Sequence, residues 1–165
     1  VFGATRVNGS EEVLRNWDAL KKAQRRQTTQ TEVLRGVPRS FPALLRSRKV
    51  QKKAADVGFD WDSASEAFGK IAEETEELRE AMATGSGVGE EMGDLLFAVV
   101  NVARLLKLEP ELLLAKATEK FIDRFEAMET LATREGCALS ELSFPEQNER
   151  WKRVKKSLNW EEIHK

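Results

Sequence analysis

Apolar positions recur at three- and four-residue intervals along most of this chain, and no stretch sustains the alternation of a half-buried strand. Residues 1–10 (VFGATRVNGS) read as an irregular lead-in, with Gly3 and Asn8-Gly9 as turn signals. Ser10 caps an expected helix to about Arg26, with apolar positions at Val13, Leu14, Trp17 and Leu20. The polar, β-branched run Gln27–Glu32 reads as a linker, and Gly36, Pro38 and Pro42 interrupt regular structure after it. Ser40 is expected to cap a helix starting near Pro42, which sets Leu44, Leu45, Val50 and Ala54 among basic residues and stops at Gly58.

Asp62 or Ser63 caps the next helix, whose uneven apolar stripe is Ala67, Ile71, Leu78 and Met82. The run Ala83–Gly89 (ATGSGVG) breaks it. From about Val88 to Lys107 the chain is apolar around most of a helical circumference, including Leu95, Leu96, Phe97, Val99 and Val100. Such a helix has to be buried, either centrally in a bundle or across a dimer interface. Glu109-Pro110 restarts the chain into a long helix to about Arg134, and Gly136 ends it. Pro145 leads into a last helix through Trp151, Val154 and Leu158. The fold class expected is all-α, a helix bundle.

Composition narrows the chemistry. A hydrophobic share of 41% with 33% charged residues describes a folded, helix-rich chain, not a disordered one. A formal net charge of -1 argues against a general nucleic-acid or membrane-surface binder. Cys137 is the only cysteine, which excludes an intrachain disulfide and a thiolate zinc site. The sole histidine, His164, is next to last, which removes most histidine acid–base chemistry. No apolar run approaches the roughly 18 residues that span a bilayer, and no signal peptide is visible, so a cytoplasmic location is expected.

The charge is unevenly spread, with acids concentrated between Lys70 and Asp94. Residues three and four apart on a helix share a face, so Glu73 and Glu74 lie beside Glu77, while Glu76 points further round towards solvent. Glu91 and Asp94 are i,i+3 neighbours on the following helix. Antiparallel packing across the Gly/Ser turn would let the two acidic faces oppose each other. Like charges gathered there repel unless a cation neutralises them, and oxygen-only donors suit Mg²⁺ or Mn²⁺. Glu-rich helix faces are commonly just solvated surface. Against that, the second pair sits at one end of the most apolar helix, where unpaired acids are costly, and few basic residues are near.

The spacing Glu73-Glu74-x-x-Glu77 followed by Glu91-x-x-Asp94 resembles the paired motif of the all-α nucleoside triphosphate pyrophosphohydrolases of the MazG type. The resemblance continues through VPRSFPALLRSRKVQKKAADVGFDW, GDLLFAVVNVAR and KATEKFIDRF, and reaches Trp151 and Lys155 in the last helix. The opening resembles the end of an upstream repeat and the connection found in longer two-domain members. On that likeness residues 1–36 are a lead-in helix and linker, and residues 37–165 the catalytic domain.

The resemblance implies Mg²⁺-dependent hydrolysis of nucleoside triphosphates to a monophosphate and pyrophosphate, with broad base tolerance, by a homodimer. It makes Glu74, Glu77, Glu91 and Asp94 metal ligands, and Glu73 either a supporting acid or the base that orients water. Lys120 and Arg124 would clamp phosphates, and Trp151 and Lys155 would supply a stacking face and a further phosphate contact. Asn101 and Arg104 would order the acidic end or touch ligand, and Lys70 would balance charge. Family members often carry Asn where this chain has Thr118. The competing expectation is a non-catalytic helical module that binds nucleotide or a protein partner.

Overall fold

The computed structural model describes residues 29–157; the expected helix from Ser10 to Arg26, and Trp17, Trp160 and His164, lie outside them. The described helices are α1 (Gln30–Arg35), α2 (Ala43–Ala55), α3 (Ala64–Thr84), α4 (Val88–Leu105), α5 (Pro110–Arg134) and α6 (Phe144–Ser157), with a 3-10 turn at Leu139–Glu141. No strand occurs among the described residues, and the fold is all-α.

Two local expectations need correction. The linker reading of Gln27–Glu32 is wrong from Gln30 onward, where the chain is helical. Thr29 and Glu32 form a reciprocal capping box: the Glu32 amide donates to Thr29 Oγ1 at 3.2 Å, and the Thr29 amide donates to Glu32 Oε2 at 3.0 Å. Thr-x-x-Glu was the signal for it. At α2, Ser40 is not the cap. Pro42 takes that position with no side-chain hydrogen bond, its ring holding φ at -49°.

The described residues fall into two compact units parted at Pro110–Glu111. In the first, α3 and α4 form a helical hairpin. Ser63 Oγ accepts from the Glu66 amide at 3.2 Å to open α3. Gly85, at φ +73°, closes α3 by donating to the Ala81 carbonyl at 2.8 Å, and Gly87, at φ +78°, opens α4. Two left-handed residues within three positions reverse the chain at little strain only because both are glycine. The hairpin buries Ala67, Leu78, Ala81, Ala98, Val100 and Ala103, mostly small side chains that let the helices approach closely. On α2, buried Gln51 donates through Nε2 to the Phe97 carbonyl at 2.8 Å.

Burial of α4 is partial. Its buried residues are Ala98, Val100 and Ala103, whereas Leu96, Phe97 and Val99 stand about half exposed. The described residues therefore do not enclose this helix as the centre of a bundle.

Arg48 on α2 holds the α4–α5 connection, donating through Nε to the Leu108 carbonyl at 3.2 Å and pairing with Glu109 at 2.8 Å. In the second unit α6 returns along α5, burying Met128, Ala132 and Val154. Glu135 receives Arg153 at 2.7 Å and Arg150 at 2.6 Å, and these guanidinium contacts hold its carboxyl below the usual value.

Lys107, just past α4, is the only non-glycine described residue with positive φ, at 60°. A Cβ there costs strain that glycine avoids, partly offset by glycine's greater freedom in the unfolded chain. Lys107→Gly should therefore raise unfolding free energy by about 1 kcal/mol in urea titrations. An unchanged or lower midpoint would show that the turn relaxes around lysine.

Candidate metal centre

Glu74, Glu91 and Asp94 each bring a carboxylate oxygen to within 4.8 Å of the others. The hairpin accounts for this. Glu74 lies near the middle of α3, Glu91 occupies the first turn of α4, and Asp94 follows one turn on. Glycine at position 87 is called for by its left-handed backbone (φ +78°), while a Cβ there would make only an ordinary contact, 3.9 Å from Glu91 Oε1. The partial positive charge of the α4 N-terminus favours an acid at Glu91.

Burial is graded across the group. Glu74 is only 5% exposed, Glu91 is intermediate and Asp94 is open to solvent. A carboxylate as buried as Glu74 requires a compensating charge. Lys70, one turn earlier, supplies it: its Nζ lies 2.7 Å from Glu73 and 2.7 Å from Glu74. Hydrogen bonding to Glu73, then to Glu74, holds the ammonium well above its usual pKa.

Glu77 is outside the three-acid group but remains coupled to it. Loss of hydration, and then the neighbouring Glu74 charge, raise its carboxyl above the usual carboxylate value. Glu73 is exposed and bonded to Lys70, and exposed Glu76 pairs with Arg79. Glu80 and Glu90 also face solvent. All-oxygen donors, one of them buried, fit a hard divalent cation.

The other expected site residues are distributed as follows. Asn101 lies on α4 beyond Asp94, and its Oδ1 accepts from Arg104. In the second unit Lys120 and Arg124 lie one turn apart on α5, and Arg124 Nε is buried without a hydrogen-bond partner. Trp151 on α6 packs on Phe121, ring centroids 5.2 Å apart and tilted by 46°, and Lys155 is exposed. The Thr118 hydroxyl donates to the Leu114 carbonyl at 3.0 Å, turned back onto its own helix. A groove of about 670 Å³, lined in part by Asp123, Arg134 and Arg153, includes none of the expected substrate residues. Sequence reasoning assigned no role to Asp60, which Arg104 grips from 44 residues away. No local pattern could have revealed that pairing.

Residues 63–128, from the α3 cap to Met128 on α5, match the model of the MazG nucleotide pyrophosphohydrolase domain. The chain carries a MazG domain. It is 39% identical over 160 residues to the nucleoside triphosphate pyrophosphohydrolase of Escherichia coli (strain K12), an overlap of 94% of this chain and 61% of that protein. It is 38% identical over 141 residues to the nucleoside triphosphate pyrophosphohydrolase/pyrophosphatase MazG of Thermotoga maritima, covering 86% of this chain and 54% of the relative. The uncharacterized protein YabN of Bacillus subtilis is 38% identical over 160 residues, 95% of this chain and 32% of its own length. The chain thus spans about six-tenths or less of each of these curated relatives. The MazG match contains all three clustered acids, Lys70, Asn101, Lys120 and Arg124; Trp151 and Lys155 lie past its end.

Lys70 and a divalent cation would compete for Glu74, because both neutralise the same carboxylate. Lys70→Met should accordingly tighten Mn²⁺ binding by the nucleotide-free protein several-fold in calorimetric titrations. Unchanged or weaker binding would mean that the ammonium supports the acids without competing for them.

Proposed function

We propose that this chain is a Mg²⁺-dependent nucleoside triphosphate pyrophosphohydrolase, converting triphosphates of varied base to the monophosphate and pyrophosphate. The observation carrying this reading is the approach of Glu74, Glu91 and Asp94 from two helices of a MazG domain. The names of the E. coli and T. maritima relatives support the reaction class.

Glu74, Glu91 and Asp94 would hold the cation, with Glu77 adding a carboxylate on the same α3 face. Bound there, Mg²⁺ (or Mn²⁺ in its place) would supply charge neutralisation for the triphosphate and acidify water. Glu73, exposed beside Glu74, would be the base that orients and deprotonates the water attacking the α-phosphorus. A bond forms from water oxygen to the α-phosphorus, the α–β bridging bond breaks, and pyrophosphate leaves. Lys120, Arg124 and Lys155 are the donors to phosphate oxygens, and Trp151 offers a ring face. This chemistry rests on positioning and charge, so the scarcity of histidine and cysteine is no obstacle. Residues 37–165 are the catalytic domain in this reading, and residues 1–36 a lead-in to it.

A homodimer belongs to the same proposal. Leu96, Phe97 and Val99 on α4 in the first unit, and Leu112, Leu114, Phe121 and Ile122 on α5 in the second, are each 45–61% exposed, apolar side chains of the kind a second copy covers. Light scattering should return twice the mass of 18.7 kDa, and Phe97→Glu should shift it towards one copy. A wild-type mass of one copy would remove the dimer from the proposal.

Wild-type protein should release pyrophosphate from each of the common triphosphates with Mg²⁺, and release should stop with chelator. Glu74→Gln and Asp94→Asn should each lower kcat/KM by at least about 100-fold, the upper end of losses for residues that only support a metal ligand. Triphosphate binding without turnover would instead indicate a regulatory module. Rates unchanged in both variants would sink the proposed metal site.

A further inference from the structure

At the far end of the α3–α4 hairpin from its glycine turn, Arg104 joins two otherwise separate groups. Its Nη1 donates to Asp60 Oδ2 at 3.0 Å and its Nη2 donates to Asp60 Oδ1. The same guanidinium donates to Asn101 Oδ1, from Nε at 3.0 Å and from Nη2 at 2.7 Å. The Arg104 side chain is only 11% exposed, and the two-pronged contact holds it to one orientation.

This contact determines what Asn101 can offer. A guanidinium only donates, so the amide atom facing it must be the oxygen. Two donors occupy both acceptor positions of that oxygen. What Asn101 has left is its NH₂, for which no partner is present among the described residues. A carboxamide is normally ambivalent between donor and acceptor; here it is donor-only.

Position decides what those donors could meet. Asn101 follows Asp94 by seven residues, close to two whole turns, so it lies on the same side of α4 about 10 Å further along the axis. That is of the order of the reach from an α-phosphate across a ribose to a base. Asp60 also holds the segment bearing Phe59 and Trp61, respectively 82% and 45% exposed, and accepts from the Trp61 amide at 2.9 Å. Aromatic surface and an oriented amide at one end of a hairpin are what an unpaired base requires.

We infer that Asn101, oriented by Arg104 and through it by Asp60, reads the nucleobase as a hydrogen-bond donor and favours bases carrying a carbonyl where adenine and cytosine carry an amino group. The inference rests on the nucleotide reading above and adds selectivity to it. All common triphosphates remain substrates, but guanine, uracil, thymine and hypoxanthine accept the Asn101 hydrogens, whereas the exocyclic amine of adenine or cytosine presents donor to donor. Arg104 is a positioning residue in this scheme and touches no substrate.

Inosine against adenosine triphosphate, and uridine against cytidine triphosphate, isolate the exchange of carbonyl for amine. Wild-type kcat/KM should favour the carbonyl member of each pair by about 10-fold. Asn101→Asp keeps one oxygen for Arg104 and presents the other as an acceptor, so both ratios should fall below one. Arg104→Met frees the amide to turn, and both ratios should collapse towards one. A purely structural role would lower all four rates together and leave the ratios in place. Wild-type ratios near one, or ratios unmoved by Asn101→Asp, overturn the inference. Pyrophosphate release from none of the four would fail the catalytic reading instead. In that case the same ratios, read as Kd by calorimetry with Ca²⁺, decide the inference, and absence of binding by all four overturns it.

Discussion

Carboxylate oxygens crowded within 4.8 Å of one another, one of them buried, are tolerable only with positive charge among them. That constraint organises the first unit. It requires two helices meeting closely, hence the small buried residues Ala67, Ala81 and Ala98 on them. It requires a tight reversal, hence two glycines in the left-handed region within three positions. It requires a counter-charge, and Lys70 provides one from a turn away while leaving Asp94 open. A lysine neutralises by a single mobile ammonium, whereas a divalent cation can be shared among several oxygens. The arrangement is therefore compensated and yet exchangeable, which suits the metal site proposed for it.

The hairpin has a second fixed end. Arg104 is committed to Asp60 and Asn101, and this holds the Asp60 carboxyl below its usual value, chiefly through the hydrogen bonds it receives. Because the folded value is depressed, the pair contributes stability at neutral pH and loses it as pH falls through the carboxylate range. Charge at one end of the hairpin and oriented hydrogen bonding at the other would, in the proposed reading, divide phosphate chemistry from base contact. The helix axis supplies the spacing between them.

Exposed apolar surface tells a related story. A helix as apolar as α4 would be expected to vanish into a core, yet among the described residues several of its large side chains stay half exposed. It buries Ala98, Val100 and Ala103, and leaves the larger Leu96, Phe97 and Val99 about half exposed. Large apolar side chains left exposed beside such a seam are what the proposed dimer would cover.

Local chemistry made much of this legible in the amino-acid order alone. Periodicity of 3.6 without alternation determined the all-α class, and glycine and proline marked most helix boundaries, because those signals act within a few residues. Helical spacing also placed Glu74, Glu77, Glu91 and Asp94 on usable faces and sent Glu76 outward. The capping box at Thr29 was present as a pattern, though it stood inside a run that otherwise read as linker. Tertiary structure alone decided which acids meet, since Glu74 and Asp94 share a site only through the angle and register of two packed helices. It alone joined Arg104 to Asp60 across 44 residues, and thereby turned Asn101 from a polar residue on an apolar helix into an oriented donor. Spacing along a helix is a property of the chain; proximity between helices is a property of how their surfaces pack.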